Sequence, residues 1–151
     1  MERCCGKGVI SKVLKNKGYN VISSDLIDYG YGKVIDLFSI KEKYDNIITN
    51  PPFALKINMI EHLLELTNKK LILLWYAKNI GNLLESKRHK HLKKIYIFNK
   101  RIKWEETNIG WLFAWYVWEK GYNGIVEVIR LDYEGQEIRK KQIKSKKVLG
   151  E

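Results

Sequence analysis

Asn46-Ile47-Ile48-Thr49-Asn50-Pro51-Pro52-Phe53 is the stretch from which the rest of this chain can be read. Ile47, Ile48 and Thr49 are β-branched and favour an extended strand. Asn50 and two successive prolines then stop it. The prolines fix φ at two consecutive residues and remove two backbone donors, so the strand must end in a stiff, acceptor-rich turn. The chain has two prolines, and both are here. Beyond the turn, Leu55, Met59, Ile60, Leu63, Leu64 and Leu66 fall at helical spacing and predict an amphipathic helix from Ala54 to Thr67. Lys70-Leu71-Ile72-Leu73-Leu74-Trp75 follows as an apolar run, the pattern of a parallel strand covered on both faces.

The same alternation extends in both directions. Upstream, Val9, Ile10, Val13 and Leu14 predict a first helix stopped at Gly18. Val21–Asp25 and Lys33–Leu37 read as short strands. Downstream, a basic, helix-compatible segment from Asn79 to Lys94 precedes strands at Ile95–Phe98 and Trp111–Trp118, with an edge strand over Ile125–Leu131. Strands separated by helices in this order imply an α/β doubly wound sheet. Such sheets bind ligands beyond the carboxyl ends of their strands. Gly6, Gly8, Asp25, Asp36 and Asn50 to Phe53 all fall at such ends.

A length of 151 residues suits one domain, read here as 1–135, with a basic tail over 136–151 expected to be mobile. At 45% hydrophobic and 30% charged, the chain can form a core and remain soluble. The opening residues Met1 to Gly6 hold no apolar leader, and no apolar run is bilayer length, so a cytoplasmic location without membrane contact is expected. Cys4 and Cys5 are adjacent, a geometry that strains a mutual disulfide, and read as small packing residues. His89-Lys90-His91 lacks carboxylate or cysteine partners nearby in sequence; no metal site is expected. His62 reads as a helix-surface residue, and Trp111 and Trp115 as alternating core residues of a strand. The charge is +11, from 28 Lys plus Arg against 17 Asp plus Glu, which favours a polyanionic partner. Lys87, Arg88, Lys90, Lys93 and Lys94 are the densest candidates for phosphate contact.

The proline turn carries the sharpest chemical implication. An aromatic exocyclic amine is a poor nucleophile because its lone pair is delocalised into the ring. Two acceptors on its two N–H bonds would help localise that pair, and the Asn50 side-chain oxygen and Pro51 main-chain oxygen could serve. Phe53 offers a face for stacking a flipped base. The glycines of Glu2-Arg3-Cys4-Cys5-Gly6-Lys7-Gly8 allow backbone to approach a ligand closely. Asp25 could accept hydrogen bonds from ribose hydroxyls or serve as a turn residue; Asp36 has the same two readings.

Together these residues resemble the class I S-adenosylmethionine-dependent methyltransferases, in the amino-methyltransferase branch with an Asn-Pro-Pro-aromatic motif. From Glu2 to Tyr122 the chain is similar to small phage-type DNA N6-adenine methyltransferases. The resemblance implies a Rossmann-like, mostly parallel sheet and S-adenosyl-L-methionine as cofactor. It implies a cofactor loop at Glu2, Gly6 and Gly8, with Glu2 near the methionine amino group, Asp25 at the ribose and Asp36 at the cofactor adenine. Asn50, Pro51, Pro52 and Phe53 become the catalytic motif. The implied substrate is nucleic acid, DNA before RNA. An RNA adenine methyltransferase and a non-catalytic nucleic-acid-binding remnant remain alternatives, as do cytosine N4 as target and any oligomeric state. One departure stands out: the family's central strand precedes the acidic residue of the glycine loop, and here most of it is absent. The second and fourth strands are therefore expected to lack their shared neighbour.

Overall fold

The computed structural model describes residues 1–52, 57–85, 89–101 and 110–132. Its strands are β1 (Glu2–Arg3), β2 (Ser23–Asp25), β3 (Lys33–Val34), β4 (Tyr44–Thr49), β5 (Thr67–Tyr76), β6 (Leu92–Phe98), β7 (Phe113–Glu119) and β8 (Glu127–Leu131). Helices α1 (Val9–Asn16), α2 (Ile57–Leu66) and α3 (Ile80–Glu85) connect them. The strands form one sheet in the order β3-β2-β1-β4-β5-β7-β6-β8. Pairing is parallel from β3 through β5 and between β6 and β8, whereas β7 runs antiparallel to both its neighbours. The expected α/β, mostly parallel, doubly wound sheet is therefore what the chain forms, with a first strand of two residues.

That short strand does more than the sequence suggests. Glu2 pairs with Ser23 on one side and Ile48 on the other. The Glu2 amide donates to the Ile22 carbonyl at 2.9 Å, and the Ile48 amide to the Met1 carbonyl at 3.0 Å. So β2 and β4 do share a neighbour, contrary to expectation, although it spans only the carboxyl end of the sheet's parallel wing. Below it, the Arg3 side chain is folded into the sheet: its guanidinium donates to Ser24 Oγ at 2.5 Å and to the Tyr44 hydroxyl at 3.2 Å.

The core lies on the face covered by α2. Ile47, Leu63, Leu71, Leu73, Ile95, Ala114 and Tyr116 are fully buried there, with Ile60 and Trp118 almost so. α1, on the other side of β1, is a thinner cover. Its Val9 and Val13 are 70% and 52% exposed, and its buried residue is Ser11. The apolar face read from Val9, Ile10, Val13 and Leu14 is thus only half used, because the strands beneath α1 are two or three residues long. The helix does stop as expected: Gly18 takes φ 86°, and the Gly18 and Tyr19 amides bond back to Lys15 and Leu14.

Other boundaries move. The strand expected over Val21–Asp25 narrows to its last three residues, and Lys33–Leu37 to its first two, because Asp36 starts a helical turn over Leu37–Ser39. The basic segment from Asn79 to Lys94 is helical over Ile80–Glu85, and Leu92–Lys94 already belongs to β6. No helix among the described residues is long and apolar enough to cross a membrane. Phe53, Lys87, Arg88 and the tail over 136–151 lie outside the described residues.

Candidate functional site

β1, β2 and β4 end side by side, and the segments leaving them enclose a cleft of about 820 Å³. This is within the ordinary range for a small-molecule site. Glu2, Gly6, Asp25, Asp36, Asn50 and Pro52 all line it. Six of the nine residues singled out from sequence are thereby brought together. Gly8 and Pro51 are not in the wall, and Phe53 is outside the described residues.

The glycine loop is built on left-handed backbone: φ is 53° at Cys4, 50° at Gly6 and 74° at Gly8. Gly6 meets no heavy atom within 4 Å of where a Cβ would stand, so its backbone is open to a ligand. Gly8 also has a structural role. It caps α1, and a Cβ there would lie 2.2 Å from the Tyr31 ring, so close packing as well as positive φ demands glycine.

Asp25 fastens this loop. Its Oδ2 accepts from the Gly6 amide at 2.8 Å and its Oδ1 from the Ile27 amide at 3.1 Å. One carboxylate therefore holds both segments that leave the ends of β1 and β2. Each oxygen keeps a further lone pair for a ligand hydroxyl. Asp36 caps the turn after β3, accepting from the Phe38 amide at 3.0 Å, and is exposed. Glu2 is 2% exposed; its Oε2 accepts from both the amide and the hydroxyl of Ser11, at the start of α1. Burial pushes the Glu2 carboxyl above its usual range, and the two Ser11 bonds pull in the opposite direction.

Sequence reading missed the apolar side of this cleft. Leu26 and Ile27, 66% and 56% exposed, follow Asp25 directly, and Phe38 follows Asp36 by two. Two aliphatic residues directly after a strand-end aspartate were the available signal. It also missed His62. The side chain is half-buried rather than on the surface: its Nε2 lies 3.0 Å from the Leu37 carbonyl and its ring 5.4 Å from Phe38. This anchors the Leu37–Ser39 turn from α2.

At the β4 end, the Thr49 hydroxyl donates to the Arg3 carbonyl and ties β4 to β1. Asn50 follows at the cleft, and its Oδ1 is buried with no hydrogen-bond partner among the described residues. Pro52 is exposed, Pro51 is buried, and Leu74 of β5 closes the wall. Burial and the nearby Asp25 raise the Cys4 thiol to about 11, so it stays protonated at neutral pH. Cys5 is 6% exposed, a packing residue as read from the sequence.

The basic surface differs from expectation. Lys93 pairs with Glu119 at 3.1 Å and Lys94 with Glu127 at 3.3 Å, both across neighbouring strands. Lys90 is exposed. The phosphate-contact cluster read from sequence is thus partly engaged within the sheet.

No protein-family model matches the chain, and neither does any curated protein sequence. Solved structures do match. A candidate RNA methyltransferase from Pyrococcus horikoshii superposes with a TM-score of 0.67 at 15% identity, over 82% of this chain and 73% of the other. Magnesium protoporphyrin IX methyltransferase from Synechocystis PCC 6803, solved with bound S-adenosylmethionine, gives 0.54 at 19% identity over 77% and 67%. The modification subunit of a candidate type I restriction enzyme from Vibrio vulnificus YJ016 gives 0.54 at 9% identity, covering 89% of this chain and 44% of the subunit. At these identities the likeness is one of fold, and the sheet described above is of the class I methyltransferase type.

Proposed function

We propose that this chain is an S-adenosylmethionine-dependent methyltransferase acting on an exocyclic amine of a nucleic-acid base, namely adenine N6 in DNA. The observation that carries this reading is Asn50 Oδ1, a buried acceptor without a hydrogen-bond partner among the described residues, in the wall of the cleft that Asp25 and Asp36 also line. A buried carbonyl oxygen left without a donor costs stability. A substrate amine would satisfy it.

The cleft fits the cofactor on its own terms. The open backbone at Gly6 can approach it closely, and the spare lone pairs of Asp25 suit ribose hydroxyls. Leu26, Ile27 and Phe38 suit the faces of an adenine ring beside Asp36. Glu2 supplies negative charge for an amino group. Bound there, the cofactor contributes an activated methyl group on a sulfonium.

The chain's own part is positioning and hydrogen bonding. Asn50 Oδ1 and the Pro51 carbonyl each accept one N–H of the target amine, so its lone pair is turned toward the methyl group. Phe53 stacks the flipped base. No covalent enzyme intermediate is needed, in keeping with the protonated Cys4 thiol. RNA is the second reading, favoured by the likeness to the P. horikoshii protein.

Incubation with methyl-labelled S-adenosylmethionine and separate DNA, RNA and protein pools tests the proposal. Label recovered from DNA as N6-methyladenine is the expected result. The same nucleoside from RNA alone selects the second reading. Label in neither nucleic acid overturns both, and cofactor binding without transfer points to a non-catalytic remnant.

A further inference from the structure

Trp111 was expected in the core, yet it is 38% exposed, and its neighbour Leu112 is 40% exposed. Its ring lies 5.3 Å from that of Tyr76, which in turn lies 5.1 Å from the fully buried Phe113. The Lys78 ammonium stands over both outer rings, 5.2 Å from Tyr76 and 5.0 Å from Trp111. Phe113 anchors the cluster in the core while Trp111 reaches solvent.

Its location connects it with the candidate site. Tyr76 ends β5 two residues after Leu74, so strand alternation places both on one face. Leu74 is in the wall of the cleft with Asn50 and Pro52. Thr49 pairs with Leu73, which puts Asn50 level with Leu74. Strand spacing and rise then separate the Asn50 and Tyr76 backbones by about 8 Å. That is roughly two stacked nucleotides at about 3.4 Å each.

We propose that Tyr76, Lys78 and Trp111 form a platform that stacks a nucleobase flanking the target and contacts its phosphate. The proposal rests on the nucleic-acid reading above and adds a second contact to it. Base–aromatic stacking is stronger than an exposed cation–π pair, so an arriving base outcompetes the ammonium for the rings. Lys78, released on its flexible stem, then meets the backbone phosphate beside that base.

The test is fluorescence anisotropy with a labelled oligothymidylate holding one central adenine, and with its RNA counterpart. Trp111→Ala should bind the preferred strand roughly 5- to 150-fold more weakly. Trp111→Phe should bind close to wild type, and Lys78→Gln should lower the log–log salt slope by about one phosphate's worth. Moving an abasic residue through the positions flanking the adenine should weaken wild-type binding at one position and leave Trp111→Ala unaffected there. Thermal melting and S-adenosylmethionine binding report whether each variant is folded. Should Trp111→Ala misfold, the abasic series on the wild-type protein and Lys78→Gln decide the matter. A folded Trp111→Ala variant that binds like wild type, or an abasic series without effect, overturns the platform and leaves the methyltransferase reading intact. A wild-type protein that binds neither strand overturns both.

Discussion

β3, β2 and β1 are two, three and two residues long, whereas β5, β7 and β6 are ten, seven and seven. The short wing contributes few buried apolar side chains, and α1 leaves Val9 and Val13 in the open. The long wing buries Leu71, Leu73, Ile95, Tyr116 and Trp118 against α2 and carries an almost continuous ladder between β5 and β7. Yet Glu2, Gly6, Asp25 and Asp36 all belong to the short wing, and Asn50 stands at the seam. Stability and candidate chemistry are thus separated in one sheet. A ligand that bridges β1, β2 and β4 would supply contacts that the short wing does not make for itself.

The largest expected effect is in the long wing. Trp118→Ala empties a fully packed position and should destabilise the fold by about 3–5 kcal/mol, a large part of the 5–15 kcal/mol typical of a domain. Chemical denaturation measures it, and a loss below about 1 kcal/mol would show that the core lies elsewhere. Asn50→Ala tests the seam in the opposite sense. Methyl transfer should fall by about 100- to 1000-fold with melting and cofactor affinity little changed. Unchanged turnover would remove Asn50 from the mechanism.

Asp25→Ala acts within the short wing. It should weaken S-adenosylmethionine by about 1.5–3 kcal/mol in calorimetry, and it should loosen the Gly6 and Ile27 amides that the carboxylate now holds. Equal affinity in variant and parent would make Asp25 a turn residue and nothing more.

The smallest effect concerns Glu2, whose carboxyl is raised chiefly by burial. The folded chain then holds this proton more tightly than the unfolded chain. The resulting stability is complete in acid and is lost as pH rises through the raised value. Glu2→Gln lacks this loss. Its Tm relative to the parent should therefore rise with pH, by about 2–4 °C if the difference reaches 1 kcal/mol. A difference independent of pH would mean that Ser11 compensates fully for burial.

Much of this arrangement is legible in the chain because strand ends are marked by residue type. Asn50-Pro51-Pro52 can only be a stiff turn, and an aspartate closing a β-like run falls at the carboxyl end of the sheet. Those rules alone bring Gly6, Asp25, Asp36 and Asn50 into one cleft. What fails is whatever depends on distant partners. Val9 and Val13 have the spacing of a packed face, but little sheet lies beneath them. Trp111 alternates correctly with Phe113 and Trp115, yet it precedes the start of β7, where neighbours run out. Lys93 and Lys94 look available for phosphate until the fold brings Glu119 and Glu127 beside them. Gly8 is a ligand-loop glycine by spacing, and only the packed Tyr31 reveals its structural duty.

Native-state hydrogen exchange with and without S-adenosylmethionine tests the division between the wings most directly. Amides of β5, β6 and β7 should exchange only through global unfolding and change little in protection on adding the cofactor, beyond any shift in global stability. Amides from Gly6 to Ile27 should exchange through local opening and slow markedly when it binds. Equal protection in both wings without cofactor, or slowing by the cofactor confined to β5, β6 and β7, would contradict the separation of stability from site.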